Sequence, residues 1–584
     1  MLSQIISIEE TIVKIKLAID INSQGNLMNL HVVFDDDKNH CVGEIVGIES
    51  EYMDVFLIGE FVDDKFMTST FKKPSFKSRV RMINSEELGY IYGGNTDNED
   101  KFYIGRSALY NNYKVYASLN DLFSNHLAIL GNTGSGKSYT VSRLIQNIYT
   151  NPKFPSRSSL FIFDAYGEYN HAFNDFNKVV PNFKYKKYTT ETEYPEGDIL
   201  NIPLCLLGTD DLAILLGCTS ATQIPVIDKA LRFAKMFASG GEDVIKYKNS
   251  LLARAILDIL ISGATPTQTR EQVIALLETI NTEELNLETE IVQPGYVRNI
   301  RQCLYVDATG KSQDVEAVVD FLNDFLIDID YKTFDKEVYF DLVNLSEAFD
   351  YALISEGILS SDKVYDESNV LRVRLRSIIN SAKKEYFNYS EYITKEAYVK
   401  KLLTNQDGSK AQVINFNMSF VDDRLAKALT KIISKMLFSV STTLKERGTL
   451  PFHIVIEEAH RYVQNDIDEE MLGYNIFNRI AKEGRKYGVL LVLISQRPNE
   501  LSPTTISQCS NFLIMRMLHP NDIEYVKAMV PSATLGIFER VKQLDPGSLI
   551  AFGNSFKIPA IVNVDLPNPT PLSQNVDIKR VWYE

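Results

Sequence analysis

Apolar positions divide the chain into three textures. Before residue 105 they form short runs of β-forming residues at 29–34, 43–48 and 52–58. Short strands at this spacing predict a small N-terminal β-barrel or sandwich over 1–105, with a structural role. The texture changes at His126, where an apolar run to Leu130 enters a glycine-rich loop. A helix is predicted from Lys137 to Tyr149, then a second strand over 159–163 that ends at Asp164. Over 171–404 a helical period dominates, as in 211–217, 224–237, 251–261 and 317–325, and reads as a mainly helical insertion. Strands then alternate with helices again: strands at 412–416, 452–456, 489–494, 512–517 and 548–552, helices at 425–444 and 471–485. Alternation of this kind predicts an α/β core with a mainly parallel sheet covered on both faces, drawn from 106–170 and 405–565. The tail, 566–584, begins with three prolines in seven residues and reads as a loose end or an arm lying on a neighbour.

Composition narrows the class without naming a function. A chain of 584 residues, 45% hydrophobic and 23% charged, has the content of several globular domains and excludes wholesale disorder. Sixty-one basic residues against 76 acidic ones leave a net charge of −15, so any nucleic-acid surface has to be local. The five cysteines, Cys41, Cys205, Cys218, Cys303 and Cys509, are far apart and form no CxxC. That argues against a disulfide framework or a zinc knuckle. No apolar run approaches the roughly 20 residues of a membrane helix, and a soluble cytoplasmic protein is expected.

The strongest chemical signal is Gly131-Asn-Thr-Gly-Ser-Gly-Lys-Ser138, a full G-x-x-x-x-G-K-[ST] between a strand and a helix. Its glycines let backbone N–H groups converge on phosphate oxygens, and the helix N-terminus adds its dipole. This makes Asn132, Thr133, Gly134, Ser135, Gly136, Lys137, Ser138 and Tyr139 the expected nucleotide-binding segment. Lys137 bridges the terminal phosphates of ATP, and Ser138 ligates Mg²⁺. Such a loop needs a carboxylate on a neighbouring strand. The run 453–456 ends in Glu457 and Glu458. Glu457 is the metal-side acid and Glu458 the one that polarises water. His460 reads as an ordinary packed or capping residue. Asp164 and Glu168 close the strand after the phosphate-loop helix and are candidates for water or Mg²⁺, with a simple loop cap as the alternative. Gln496 follows another strand and is placed to report nucleotide state. Arg485 is a candidate finger toward a neighbour's γ-phosphate, and Arg516 a second finger or a sensor.

Together, 126–138, 164–169, 454–461, 483–486 and 494–498 resemble the HerA branch of the HerA/FtsK family of ring-shaped DNA-translocating ATPases. The resemblance implies a RecA-like P-loop core with an N-terminal β-barrel and a helical insertion. It also implies a homo-oligomeric ring, expected to be a hexamer, with ATP between subunits and double-stranded DNA in the central pore. Relatives of this kind act with an effector such as a NurA-like nuclease or a sirtuin-like protein, in DNA end processing or antiphage defence. Two features depart from the family pattern: the acidic loop reads Asp-Ala-Tyr-Gly-Glu, and the chain is net acidic. The competing expectation is an ATP-binding ring scaffold that assembles an effector without obligatory translocation.

Overall fold

The computed structural model describes every residue except 1–2, 18–26, 37–39, 50, 64, 69–71, 95–97, 152, 328–336, 356–361, 531–537, 574–577 and 584. The N-terminal unit is a seven-stranded antiparallel sheet. Its long central hairpin pairs His40–Glu49 with Tyr52–Val62, and two register shifts bend it. Such shifts tighten the local twist and curve a sheet around its own core. That core holds Val13, Ile15, Val32, Phe34, Val55 and Leu57, all buried. Val33, Val42, Ile58 and Phe66 face a different cluster, shared with the main domain.

The main domain is one twelve-stranded sheet. Eight strands are parallel, in the spatial order Asp198–Ile199, Tyr185–Thr189, Val413–Asn417, Leu160–Asp164, Phe452–Ile456, Val489–Ser495, His126–Leu130 and Cys509–Met515. Ser548–Gly553, Ala560–Asn563, Lys101–Ser107 and Lys114–Ser118 continue it antiparallel. The central parallel strands are buried along their whole length, which their unbroken apolar runs require. Two differences from the sequence reading follow from this pairing. Lys101–Ser107 straddles the expected boundary at 105 but pairs at the core's antiparallel end. Tyr185–Thr189 and Asp198–Ile199, inside the stretch read as helical, lengthen the parallel end. Lys186 is alternately buried with Tyr188 and so reads as polar in a pattern search, although its stem is covered and its amine donates to the carbonyls of Lys401 and Thr404.

The rest of 200–403 is mainly helical, with Ile224–Ser239 and Glu242–Ile261 among its longer helices. It is tied to the core by Lys435, on the helix Asp423–Thr443, which pairs with Asp210 at 2.5 Å and Asp211 at 3.0 Å. The helix expected over 471–485 is two helices, Asp468–Leu472 and Ile476–Tyr487. Gly473 ends the first in a left-handed cap, and the Asn475 side chain caps the second by accepting from the N–H groups of Phe477 and Asn478. The proline-rich segment lies on this chain's own core. Gln146 donates to the carbonyl of Pro569 at 2.8 Å, and Leu572 N–H donates to the carbonyl of Glu168 at 3.0 Å.

Candidate functional site

The glycine-rich loop sits at the C-terminal end of the sheet's central strand, clamped by both neighbours. Gly131 N–H donates to the carbonyl of Ser495 at 3.1 Å, and Asn132 N–H donates to that of Arg516 at 2.9 Å. Gly134 and Gly136 have φ of +73° and +91°, the left-handed turn that only glycine takes without strain. Thr133 is exposed at the loop's crest. Ser135 is buried beneath, its carbonyl accepting from Gly547 N–H at 2.9 Å. The helix Lys137–Tyr149 starts at once, with no side-chain cap. Its first amides are therefore available to an anion. Ser138 and Tyr139 lie half-buried in its first turn. The Lys137 amine donates to the carbonyl of Asn132 at 3.1 Å. Burial lowers its pKa, while Glu458, Glu457 and Glu168 oppose that shift.

The acidic strand is not the phosphate loop's immediate neighbour, as the sequence reading had it. Val489–Ser495 lies between them. This order places Gln496 between the two halves of the site. Its amide N–H donates to Glu458 Oε1, and its carbonyl oxygen accepts from the Thr133 hydroxyl. Glu458 is buried, with φ +48° and ψ +44°. A non-glycine residue in that region stores backbone strain of about 1–3 kcal/mol, a condition that collects at functional sites.

Glu457 is buried, and its Oε2 accepts from Ala165 N–H at 3.1 Å. Burial pushes its carboxyl well above the usual range, and Asp164, Glu168 and Glu458 push it further. Asp164 is shared between its own loop, the strand Val413–Asn417 and the Glu457 carboxyl. Its Oδ1 accepts from Glu168 N–H at 3.1 Å, and its Oδ2 from Tyr169 N–H at 3.0 Å and the Asn415 amide at 3.1 Å. The loop N–H bonds are those of a loop cap, and the contact with Glu457 keeps Asp164 within the acidic group. Glu168 is half-buried at the edge of the acidic group. The donor set fits a magnesium ion. Ser138 and Glu457 offer hard oxygen donors, and several carboxylates of one sign gather in a buried space. Among the described residues no cluster of three His, Cys, Asp or Glu forms a protein cage. Mg²⁺ beside a nucleotide needs none, because water and phosphate fill most of its coordination sphere.

The two arginines separate. Arg516 is half-buried against its own phosphate loop, and its Nε has no partner among the described residues. Arg485 is exposed on the helix Ile476–Tyr487, with Arg479, Lys482 and Lys486 also exposed there. Three participants escaped the sequence reading. His460 Nδ1 lies 3.3 Å from Glu458 Oε2 and 3.3 Å from Ser495 Oγ. Ser495 carries the carbonyl that anchors Gly131, and Gly547 braces Ser135 from the far side. The Asp-Pro-Gly at 545–547 signals a turn, but nothing local in it points to a loop more than 400 residues away.

A family model described as "Helicase HerA, central domain" matches residues 102–437. The chain belongs to the HerA helicase family. Among relatives, the DNA double-strand break repair helicase HerA of Pyrococcus furiosus is 23% identical over 83% of this HerA-family chain and 74% of its own length. A probable helicase of Methanocaldococcus jannaschii is 37% identical, but over 23% of this chain. This chain spans only 26% of that relative's length. Among solved structures, VirB4 of Thermoanaerobacter pseudethanolicus superposes with a TM-score of 0.44 at 12% identity, covering 80% of this chain and 97% of that one.

Proposed function

We propose that this chain is an ATP-hydrolysing motor acting on double-stranded DNA, assembled as a hexameric ring and working with a nuclease or another effector in DNA end processing or defence. The observation that carries the reading is the continuous chain Thr133–Gln496–Glu458, which joins a phosphate-binding loop to a buried acid at one end of the sheet. The P. furiosus relative, named a DNA double-strand break repair helicase, supports the DNA substrate.

The chemistry follows from position. The loop amides and Lys137 hold the phosphates, and Glu458 orients and polarises the attacking water. Gln496 touches both parts, so a change at the γ-phosphate reaches the strand end that carries it. Ser138 and Glu457 would hold magnesium, which supplies charge neutralisation at the phosphate oxygens. In this reading Arg485, solvent-facing and without an ion pair to any described residue, completes a neighbour's site. Arg516 serves the site of its own chain. Among the described residues no helix is long and apolar enough to cross a membrane.

The test is ATP turnover by the purified chain with and without linear duplex DNA, alongside its mass in solution. The motor reading expects a ring whose turnover rises with DNA. Arg485→Ala should bind ATP normally yet lose turnover by roughly 10³-fold, as removal of a trans-acting arginine does. Mixing it with Lys137→Ala subunits should restore part of the rate, because mixed interfaces of one orientation then pair an intact loop with an intact arginine. A ring that binds ATP and ignores DNA would replace the motor with the scaffold.

A further inference from the structure

Glu458 is held by more than its backbone. One carboxylate oxygen is taken by Gln496. The other, Oε2, is buried, has no aligned hydrogen bond to a described group, and lies 3.3 Å from His460 Nδ1. The same ring nitrogen is 3.3 Å from Ser495 Oγ. Ser495 in turn accepts from Arg497 N–H at 3.0 Å through its hydroxyl, and from Gly131 N–H through its carbonyl. The imidazole thus stands where the acidic loop, the intervening strand and the phosphate loop meet. It is mostly covered and sits in a tight one-turn helix over 459–461, closed by Arg461 N–H donating to the carbonyl of Glu458 at 2.8 Å.

We propose that His460 is a positioning residue for Glu458: its Nδ1–H, 3.3 Å from Oε2 and not aligned with it here, tightens onto that oxygen when nucleotide and water enter and fixes the plane in which the carboxylate meets water. The role rests on the hydrolytic reading of Glu458 given above. A carboxylate tethered at one oxygen still rotates about its last bond, and one tethered at both does not. Rotation matters because a reacting group displaced by about 1 Å loses of order 10²-fold in rate. Burial keeps the ring neutral-leaning, with Glu458 opposing that shift; Glu500, Arg497 and Lys137 are the other charged groups that face it. A neutral imidazole carrying its proton on Nδ1 is the form that can donate.

The experiment is steady-state ATP hydrolysis by the full chain bearing His460→Ala or His460→Asn, with wild type and Glu458→Gln measured beside them. The asparagine amide sits close to the Nδ1 position and restores a donor without restoring an imidazole. The expected result is a kcat at least tenfold lower in His460→Ala with KM for ATP unchanged, and recovery of most of the loss in His460→Asn. In the Glu458→Gln background, His460→Ala should add no further loss to the residual rate. Wild-type kcat in His460→Ala, or loss without recovery in His460→Asn, would overturn the positioning role. So would a rise in KM that accounts for the whole defect. If His460→Ala does not fold, His460→Leu, which fills the site without a donor, takes its place and must lose at least tenfold in kcat where His460→Asn does not. The underlying reading fails separately, by an inactive wild type or a fully active Glu458→Gln.

Discussion

The two ends of the same parallel strands are built on opposite terms. Where the strands begin, histidines are buried as neutral rings. His126 donates from Nε2 to the carbonyl of Ala481 at 3.0 Å and accepts at Nδ1 from Leu491 N–H at 2.9 Å. His453 donates from Nε2 to the carbonyl of Phe123 at 2.8 Å. Burial holds both below the usual histidine range, His126 at about 4. Where the strands end, Glu457 is crowded by Asp164, Glu168 and Glu458, and Glu458 sits in a left-handed conformation. In the first arrangement both ring nitrogens of His126 are paired, while His453 keeps one paired nitrogen and a buried Nδ1 with no partner among the described residues. The second crowds several carboxylates around one lysine, Lys137, and leaves the amides of the phosphate loop open to a ligand. Buried polar residues occur at both ends, so residue type does not separate scaffold from chemistry. Charge balance and backbone strain do.

Breaking the ligand end should have the largest effect. Lys137→Ala is expected to abolish ATP hydrolysis. Glu458→Gln should lower kcat by roughly 10²–10⁴-fold, the usual worth of a positioned acid or base, with the melting temperature held or raised. Turnover and thermal melting on the same samples check both. Full turnover in either variant would remove the distinction between the two ends.

Much of this contrast was legible in the sequence, and the part that was not has a physical reason. The phosphate loop and the helix Lys137–Tyr149 were readable because strand, glycine turn and helix are contiguous, so every element of the pattern is local. Glu457 and Glu458 were readable for the same reason. What local patterning cannot carry is the order of strands. The sequence placed the acidic strand beside the phosphate loop, whereas 489–495 intervenes, and that order alone brings Gln496 within reach of Thr133 and Glu458. His460 was read as packing because a lone histidine after an acidic pair has no signature of its own. Asp164 has the same sequence neighbours as a metal-side acid or as a loop cap, and its three N–H donors and its contact with Glu457 are visible only in the fold. Tyr185–Thr189 was lost in the helical texture because its strand alternation carries two lysines.

The starting end should show itself through pH. The folded His126 has a pKa of about 4 against an unperturbed 6.5. A depressed histidine contributes its full stability above 6.5, where both folded and unfolded chains hold it neutral. As pH falls from 6.5 toward 4 the unfolded chain takes the proton first, and stability declines by about 3 kcal/mol in total from this ring. Denaturant midpoints measured from pH 7.5 to pH 4.5 should fall for the wild type. They should fall less for His126→Gln, which begins less stable because two buried backbone partners are disturbed. An unchanged pH slope would mean that His126 is not held neutral by its burial.

Asp164→Ala tests whether the acid next to the chemistry belongs to it. The substitution leaves the N–H groups of Glu168 and Tyr169 and the amide of Asn415 without their acceptor. An expected loss of about 1–3 kcal/mol should appear as a lower melting temperature. If Asp164 is a loop cap, turnover should fall by less than in Glu458→Gln. A defect as deep as that of Glu458→Gln, in a fully folded protein, would move Asp164 from loop cap to direct participant.

The smallest expected effect isolates the strain at Glu458. Glu458→Gly and Glu458→Ala both remove the carboxylate, and with it both the hydrolytic group and part of the crowding around Glu457. They differ in the backbone. Alanine must keep a side chain at φ +48°, whereas glycine adopts that conformation freely. Glycine also makes the unfolded chain more flexible, which offsets part of its gain. The net expectation is that the glycine variant melts higher than the alanine variant by the equivalent of about 1 kcal/mol, while both are inactive. If the two melt together, the left-handed turn is not strained in the folded chain. The contrast between the two ends of the sheet would then rest on charge alone.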